Sequence, residues 1–390
     1  MRKGSNAVRP ETTVMHDVLK PLPSGRFDAL VDKYEADRSI RTLSTKSQLI
    51  ALLHAQLSGA VSLREVVATM ASHESRLYHL GATAPKRSTL ADANAKRPAK
   101  LFAELFDVLL AQAHRGLRKA SQDAIRLIDA TRIPLNALST SWARYDVHSN
   151  GVKVSIVYDP DAAAPVRFAI NLARENDMVP AKAFPIEAGA TYVFDMGYYS
   201  FSWWGDLDAK GCRFVTRLKR YTPTRVVEER AVAEGGRIVL DRVVMLPKRL
   251  RNTRVHRLGE KPVREIHVVI DTGKTLRLVT NDLSASAEEI AELYKTRWEI
   301  ELFFRWVKQT LRIRKFLGTS ENAVRIQIAV ALIAYLLLRI AQAAQSAVEG
   351  LLTFARLVRA NLMHRRSIRD LHKPPDRMLH IPNQLHLALC

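Results

Sequence analysis

Four side chains of different chemistry fall into register along one short stretch, "YKTRWEIELFFRWVK" (294–308). Tyr294, Arg297, Glu301 and Lys308 are separated by two, three and six intervening residues. At the α-helical period of roughly 100° per residue, all four lie within about a 60° arc. Leu293, Ile300, Phe303, Phe304, Val307 and Leu311 share a second arc and form an apolar stripe. One side is expected to face a core. The other lines up a phenol, a guanidinium, a carboxylate and an ammonium, with Arg305 and Arg312 beside them. A solvated, salt-bridged face has the same charge spacing, because Glu301 has Arg297 four residues back and Arg305 four ahead. Such a face has no need of an aligned phenol. Glu299 falls off the arc, which makes Glu301 the better ligand.

Two further acids, Asp129 in "AIRLIDAT" and Asp195 in "TYVFDMGYYS", are expected to end apolar strands. The carboxyl ends of strands in mixed α/β sheets are where ligands bind. Two strand aspartates and a helix glutamate form a hard-oxygen set suited to a pair of Mg²⁺ ions, which keep water and phosphate oxygens in their remaining positions. Paired metals serve phosphodiester chemistry by activating the attacking oxygen and stabilising the leaving one. Tyr, Arg and Lys alongside suit phosphate oxygens.

Residues 1–118 are helical. Ser44 or Thr45 starts one helix that ends at Gly59, and Ser62 caps the next, with Glu65 placed for a capping box. Thr89 and Asp92 fit another box, whose helix would show Arg87, Asn94, Lys96 and Arg97 on its polar side. Pro98 opens a further helix. Three short helices with a basic last one fit either a helix-turn-helix-like DNA reader or a bundle with a solvated basic face. Strands follow at 124–131, 152–159, 165–172, 191–200 and 213–219, with a short helix before the last of them. Residues 220–275 have no helical period and read as a β-rich insertion with basic loops such as "PKRLRNTR" (247–254). Ser284 or Ser286 caps one long helix through about Leu311, and the remainder is helical and basic. The expected units are 1–118, 119–345 and 346–390.

The composition agrees with a polyanionic partner. The chain has 390 residues, 47% hydrophobic, with 60 Lys and Arg against 39 Asp and Glu and a formal charge of +21. That is globular in composition and basic enough to draw nucleic acid, with an anionic membrane surface as the lesser candidate. Two cysteines are too few for a disulfide framework or a Cys-based zinc site, and the histidines lack zinc spacing. The apolar run Ile328–Leu338 is too short to span a bilayer and reads as a buried helix. A soluble protein of the bacterial cytoplasm, associated with the nucleoid, is expected, without a membrane partner or a small-molecule cofactor.

With these residues in view, the chain resembles the DDE transposases of the insertion-sequence-four type. Their signature is Y-(2)-R-(3)-E-(6)-K, matched by Tyr294, Arg297, Glu301 and Lys308. "LIDAT" and "VFDMGY" resemble the surroundings of the two family aspartates, and the stretch from "KYEADRSIR" to "RSTLADANAKRP" resembles the helical domain many members carry. The resemblance spans about 30–345. It implies an α/β fold: an RNase H-like catalytic core, three antiparallel strands joined by two more through helical crossovers, with a β-rich insertion before the glutamate helix. It implies Asp129, Asp195 and Glu301 as catalytic and metal-binding residues. It also implies two Mg²⁺ ions, with Mn²⁺ as a substitute, and phosphate contact by Tyr294, Arg297 and Lys308. The implied activity is cut-and-paste transposition by hydrolysis and strand transfer at the element's ends. The partners are double-stranded DNA, as terminal inverted repeats and target, and a second copy of the chain. Related insertions hold a tryptophan near the cut, whereas none of the five tryptophans here lies in 220–275. A catalytically silent, repressor-like DNA-binding derivative and a stand-alone RNase H-like nuclease are the rival readings.

Overall fold

A computed structural model describes residues 12–118, 124–248, 256–311, 315–345, 347–348 and 350–373. The amino-terminal part is seven helices: α1 (Val14–Leu19), α2 (Ser24–Lys33), α3 (Thr45–Ser58), α4 (Leu63–Ala71), α5 (Glu74–Leu77), α6 (Arg87–Lys96) and α7 (Ala99–Leu117). Ser44 starts α3 by accepting the Ser47 N–H, and Gly59 ends it in the left-handed region at φ 79°. Ser62 caps α4, while the Glu65 carboxylate takes the Val61 N–H at 2.8 Å instead of closing the expected box on Ser62. The box expected at Thr89 is absent. Helix α6 begins at Arg87, after an extended Lys86 that makes no side-chain cap, so Thr89 lies within the first turn.

The middle of the chain forms one nine-stranded sheet in the order β3-β2-β1-β4-β5-β9-β8-β7-β6. Its first part is β1 (Ile125–Leu135), β2 (Asn150–Asp159), β3 (Ala164–Leu172), β4 (Thr191–Phe194) and β5 (Arg213–Arg217). Strands β1 to β3 are antiparallel neighbours, and β4 and β5 join parallel to β1. This is the mixed α/β arrangement of an RNase H-like core. Short helices α8 (Thr140–Ala143), α9 (Met178–Ala183) and α10 (Phe201–Ala209) connect these strands. Trp203 and Trp204 of α10 are buried against Phe194 and, for Trp204, Phe214, which fixes the β4–α10–β5 crossover.

The β-rich insertion is not a separate sheet. Strands β6 (Arg225–Arg230), β7 (Ile238–Met245), β8 (Pro262–Val269) and β9 (Thr275–Thr280) are all antiparallel neighbours, and β9 pairs directly with β5. The insertion thus extends the core sheet along its β5 edge. Part of the basic loop 247–254 lies outside the described residues.

Four α-helices follow among the described residues: α11 (Ala287–Thr296), α12 (Trp298–Thr310), α13 (Glu321–Ala343) and α14 (Leu351–Asn361). Ser286 starts α11 with a complete capping box to Glu289. The single long helix expected to Leu311 is divided at Arg297. There the Thr296 hydroxyl donates to the Leu293 carbonyl at 2.7 Å, and the Arg297 N–H reaches back three residues to Tyr294. A side chain competing for the helical ladder is an ordinary cause of such a break.

Helix α13 is long and apolar enough to cross a membrane, but 89% of its apolar window is buried inside this protein. It packs on α7, α3, α6, α1 and α14, and also on β3. Asn322 at its start binds the α6–α7 junction, donating to the carbonyls of Asn94 and Arg97 and accepting from the Ala99 N–H. The α1 start bonds the carbonyls of Leu362 and His364. Among the described residues, helices from both ends of the chain and strand β3 therefore meet around α13.

Candidate active site

Asp129 does not end its strand as expected. Strand β1 continues to Leu135, paired throughout with β2. What ends is the neighbour: β4 pairs with β1 only as far as Ile128 opposite Phe194. From Asp129 onward the β4 side of β1 is open, and Asp195 is the first residue beyond β4. The two aspartates therefore occupy the same notch at the carboxyl edge of parallel strands, a position sequence reasoning reached through the wrong strand end.

Each aspartate is held by local backbone. Asp129 Oδ1 accepts the Ala130 N–H at 2.8 Å, and Asp195 Oδ1 accepts the Gly197 N–H at 2.7 Å. A Cβ at Gly197 would stand 2.9 Å from Asp195 Oδ1, so glycine there leaves room for the carboxylate. Helix α12 brings Glu301 to the same place. Burial pushes the Asp129 carboxyl up to about 6; the negative charges of Asp195 and Glu301 add to this, and the Ala130 N–H and Arg297 oppose it. Acids from β1, the end of β4 and α12 thus lie within electrostatic reach of one another.

The cations interleave. Arg297 Nη1 is 2.7 Å from Glu301 Oε1, and its guanidinium carbon is 5.8 Å from the Tyr294 ring centre. Burial disfavours the Arg297 charge, but Tyr294, Glu301 and Asp129 outweigh it and raise its pKa. Tyr294 is buried, which raises its hydroxyl pKa, and Arg217 at the end of β5 adjoins it. Lys308 Nζ donates to Thr131 Oγ1, two residues beyond Asp129 on the same strand. Sequence reasoning missed Thr131, Arg217 and Gly197. Strand alternation from Asp129 is the signal that points to Thr131.

The remaining predicted contacts divide. Arg305 is exposed and lies over Trp298, its guanidinium carbon 5.8 Å from the ring centre. Trp298 itself is 49% exposed. Arg312 lies outside the described residues. Arg87 and Lys96 are exposed on α6. Asn94 and Arg97 are not available to DNA: both are buried, Asn94 Oδ1 accepts from Gln48, and Arg97 donates to Gln48, Asp37 and the Leu43 carbonyl.

The donor set suits a hard divalent cation. Asp129 and Asp195 each commit one oxygen to a backbone N–H and leave the other without a hydrogen bond among the described residues. Buried like charges favour an added cation. As arranged, no three His, Cys, Asp or Glu side chains among the described residues converge on one metal position. Glu301 is turned instead onto Arg297.

Residues 120–337 match the family model of the transposase DDE domain, and residues 11–83 match a domain of unknown function. The chain belongs to the transposase DDE domain family, and its function is that of an insertion-sequence transposase. It is 42% identical over 294 residues to the y4zB protein of Sinorhizobium fredii, named as a transposase, covering 75% of this chain and 81% of that one. It is 29% identical over 260 residues to a Geobacillus stearothermophilus protein named as the transposase of insertion sequence element IS5377, covering 65% and 66%. Among solved structures, the piggyBac transposase of a synaptic complex with hairpin DNA aligns over 95% of this chain and 84% of that one, at a TM-score of 0.47 and 10% identity.

Proposed function

We propose that the protein performs cut-and-paste transposition with Asp129, Asp195 and Glu301 as its catalytic acids. The observation that carries this reading is the notch shared by Asp129 and Asp195 where β4 ends beside β1, with Glu301 on α12 near enough for its charge to help raise the Asp129 carboxyl. In the loaded enzyme these residues would hold two Mg²⁺ ions, or Mn²⁺ in their place, which supply Lewis acidity and an activated oxygen for phosphodiester cleavage.

The protein's own residues do the rest. Asp129 and Asp195, fixed by backbone N–H bonds, set the positions of the carboxylates before substrate arrives. Tyr294, Arg297 and Lys308 contact phosphates next to the cut, and Arg305 extends this surface along α12. Arg297 passes from Glu301 to a phosphate oxygen when DNA binds, leaving Glu301 free to join the two aspartates. The hydrolysed end carries a 3′-OH, which attacks target DNA in strand transfer. The amino-terminal helices, through Arg87 and Lys96 on α6, contact the terminal inverted repeat. Two ends require two sites, so the working form is a homodimer on paired ends, acting in the bacterial cytoplasm.

Excision of a marked element from a plasmid tests this reading. Asp129→Asn and Asp195→Asn are expected to abolish excision while the purified variants still bind the terminal repeat. Excision undiminished in either variant would contradict it.

A further inference from the structure

Glu265, on β8, is fully buried inside the insertion, and four groups converge on its carboxylate. Arg277 Nε donates to Oε1 at 2.6 Å, Arg242 Nη2 lies 3.1 Å from the same oxygen, His267 Nε2 is 2.8 Å away, and the Thr224 hydroxyl donates to Oε2 at 3.1 Å. Burial would raise this carboxyl, but the Arg277 and His267 bonds and the arginine charges hold it down at about 2. Buried ion pairs of this kind are seldom the cheapest way to stabilise a sheet, since apolar residues of similar volume serve as well.

What the cluster delivers lies at its far end. Arg277 Nη1 donates to the carbonyls of Lys219, Arg220 and Thr222 at 3.2, 3.2 and 2.9 Å. These belong to the turn that follows β5. A second tie joins the Thr222 and Tyr199 hydroxyls, and Lys219 Nζ stands 4.5 Å from the Tyr199 ring centre. The turn is thus clamped, with Leu218 and Thr222 buried and three side chains at the surface. Lys219 and Arg220 are exposed, and Tyr221 is 85% exposed beside the Arg220 guanidinium.

The turn is also well placed. Strand β5 runs parallel to β4, so the turn leaves the same sheet edge as Asp195, whose carbonyl accepts the Thr216 hydroxyl at 3.3 Å. Arg217, which begins the segment, adjoins Tyr294. "RLKRYTPT" (217–224) contains three cations and no acid.

We infer that residues 217–221 form a DNA-backbone track leading away from the carboxylates, with Lys219 and Arg220 on phosphates and the Glu265–Arg277 pair as positioning residues that fix the turn. The inference rests on the transposase reading and adds a contact surface that the signature helix does not supply. A flexible loop would lose conformational entropy on binding, whereas a clamped one presents its charges ready-made.

The test is fluorescence anisotropy of a labelled duplex carrying the element's terminal repeat, titrated at several salt concentrations. The double variant Lys219→Ala/Arg220→Ala is expected to bind about tenfold or more weakly, with the salt slope reduced by roughly 1.8, or about 0.9 per lost phosphate contact. Tyr221→Phe is expected to match wild type. Arg277→Gln alone is expected to weaken binding, and to add little when combined with the double variant, a non-additivity that general destabilisation does not produce. An unchanged affinity and slope in the double variant overturn the track while leaving the transposase reading intact. A wild-type protein without affinity for the duplex overturns both. Because Lys219 and Arg220 are exposed, the double variant remains decisive even if Arg277→Gln fails to fold.

Discussion

Arg297 and Glu301 form an ion pair of 2.7 Å across the first turn of α12, directly after the break that separates it from α11. Arg297 stands between the two helices, and its pair with Glu301 occupies one oxygen of that carboxylate. Replacing Arg297 removes both a competitor for Glu301 and a positive charge beside the carboxylates. Arg297→Gln is therefore expected to bind Mn²⁺ roughly tenfold more tightly than wild type in the absence of DNA. Cleavage of the terminal repeat should nonetheless slow on the order of 10²-fold, because a phosphate contact is lost. Calorimetric titration with Mn²⁺ checks the first effect and single-turnover cleavage the second. Equal Mn²⁺ affinity in the two proteins would show that the pair does not restrain Glu301.

Asp129 supplies a pH dependence. Its carboxyl is raised from 3.8 to about 6 in the folded protein. Between those values the native state holds a proton that the unfolded chain has released. Its contribution to stability is therefore full below pH 3.8 and is lost as pH rises through about 6. Divalent ions compete with that proton, so Mn²⁺ affinity is expected to climb with pH up to about 6 and then to flatten. In Asp129→Asn the climb attributable to this group disappears, which isothermal titration across pH 5–8 can read.

Gly197 is expected to matter through Asp195. Gly197→Ala places a Cβ 2.9 Å from the carboxylate oxygen that the Gly197 N–H now holds. The side chain must turn, so cleavage should fall at least tenfold while the melting temperature changes by no more than a few degrees, about 1 kcal/mol at this chain size.

The basic face of α6 separates structure from contact. Arg97 is buried and bonded to Gln48, Asp37 and the Leu43 carbonyl. Arg97→Ala is expected to destabilise the protein by about 2–4 kcal/mol, because it leaves those acceptors unpaired. Arg87→Ala and Lys96→Ala, at exposed positions, should leave the melting temperature unchanged and weaken binding to the terminal repeat with a reduced salt slope. Thermal melts and anisotropy on the same preparations distinguish the two behaviours.

Much of this was legible from residue types and spacing. The alternation of β1 to β3 and the spacing of Arg297 from Glu301 follow from local period, and the crossovers to β4 and β5 from the resemblance, whereas the one helix expected to carry Tyr294 and Lys308 together is divided at Arg297. Local pattern failed where a distant partner decided the outcome. The apolar run around Ile328 reads as a buried helix, but nothing near it says that α7 and α3 would bury it. The box at Thr89 is locally plausible, yet packing of Leu90 and Ala93 accompanies a start at Arg87. Asp129 looked terminal because the apolar run stops there, whereas pairing with β2 carries the strand six residues further. The Glu265 cluster joins β7, β8, β9 and the turn after β5, a convergence no short motif announces.

Glu301 is proposed to complete the acid set with Asp129 and Asp195. That role is tested most directly by cleavage of a labelled duplex carrying the element's terminal repeat, in Mg²⁺, by wild type, Glu301→Gln and Glu299→Gln. Metal-dependent 3′-OH ends are expected from wild type and Glu299→Gln, and at least a roughly 10³-fold loss in Glu301→Gln with terminal-repeat binding retained. Undiminished cleavage by Glu301→Gln would contradict it.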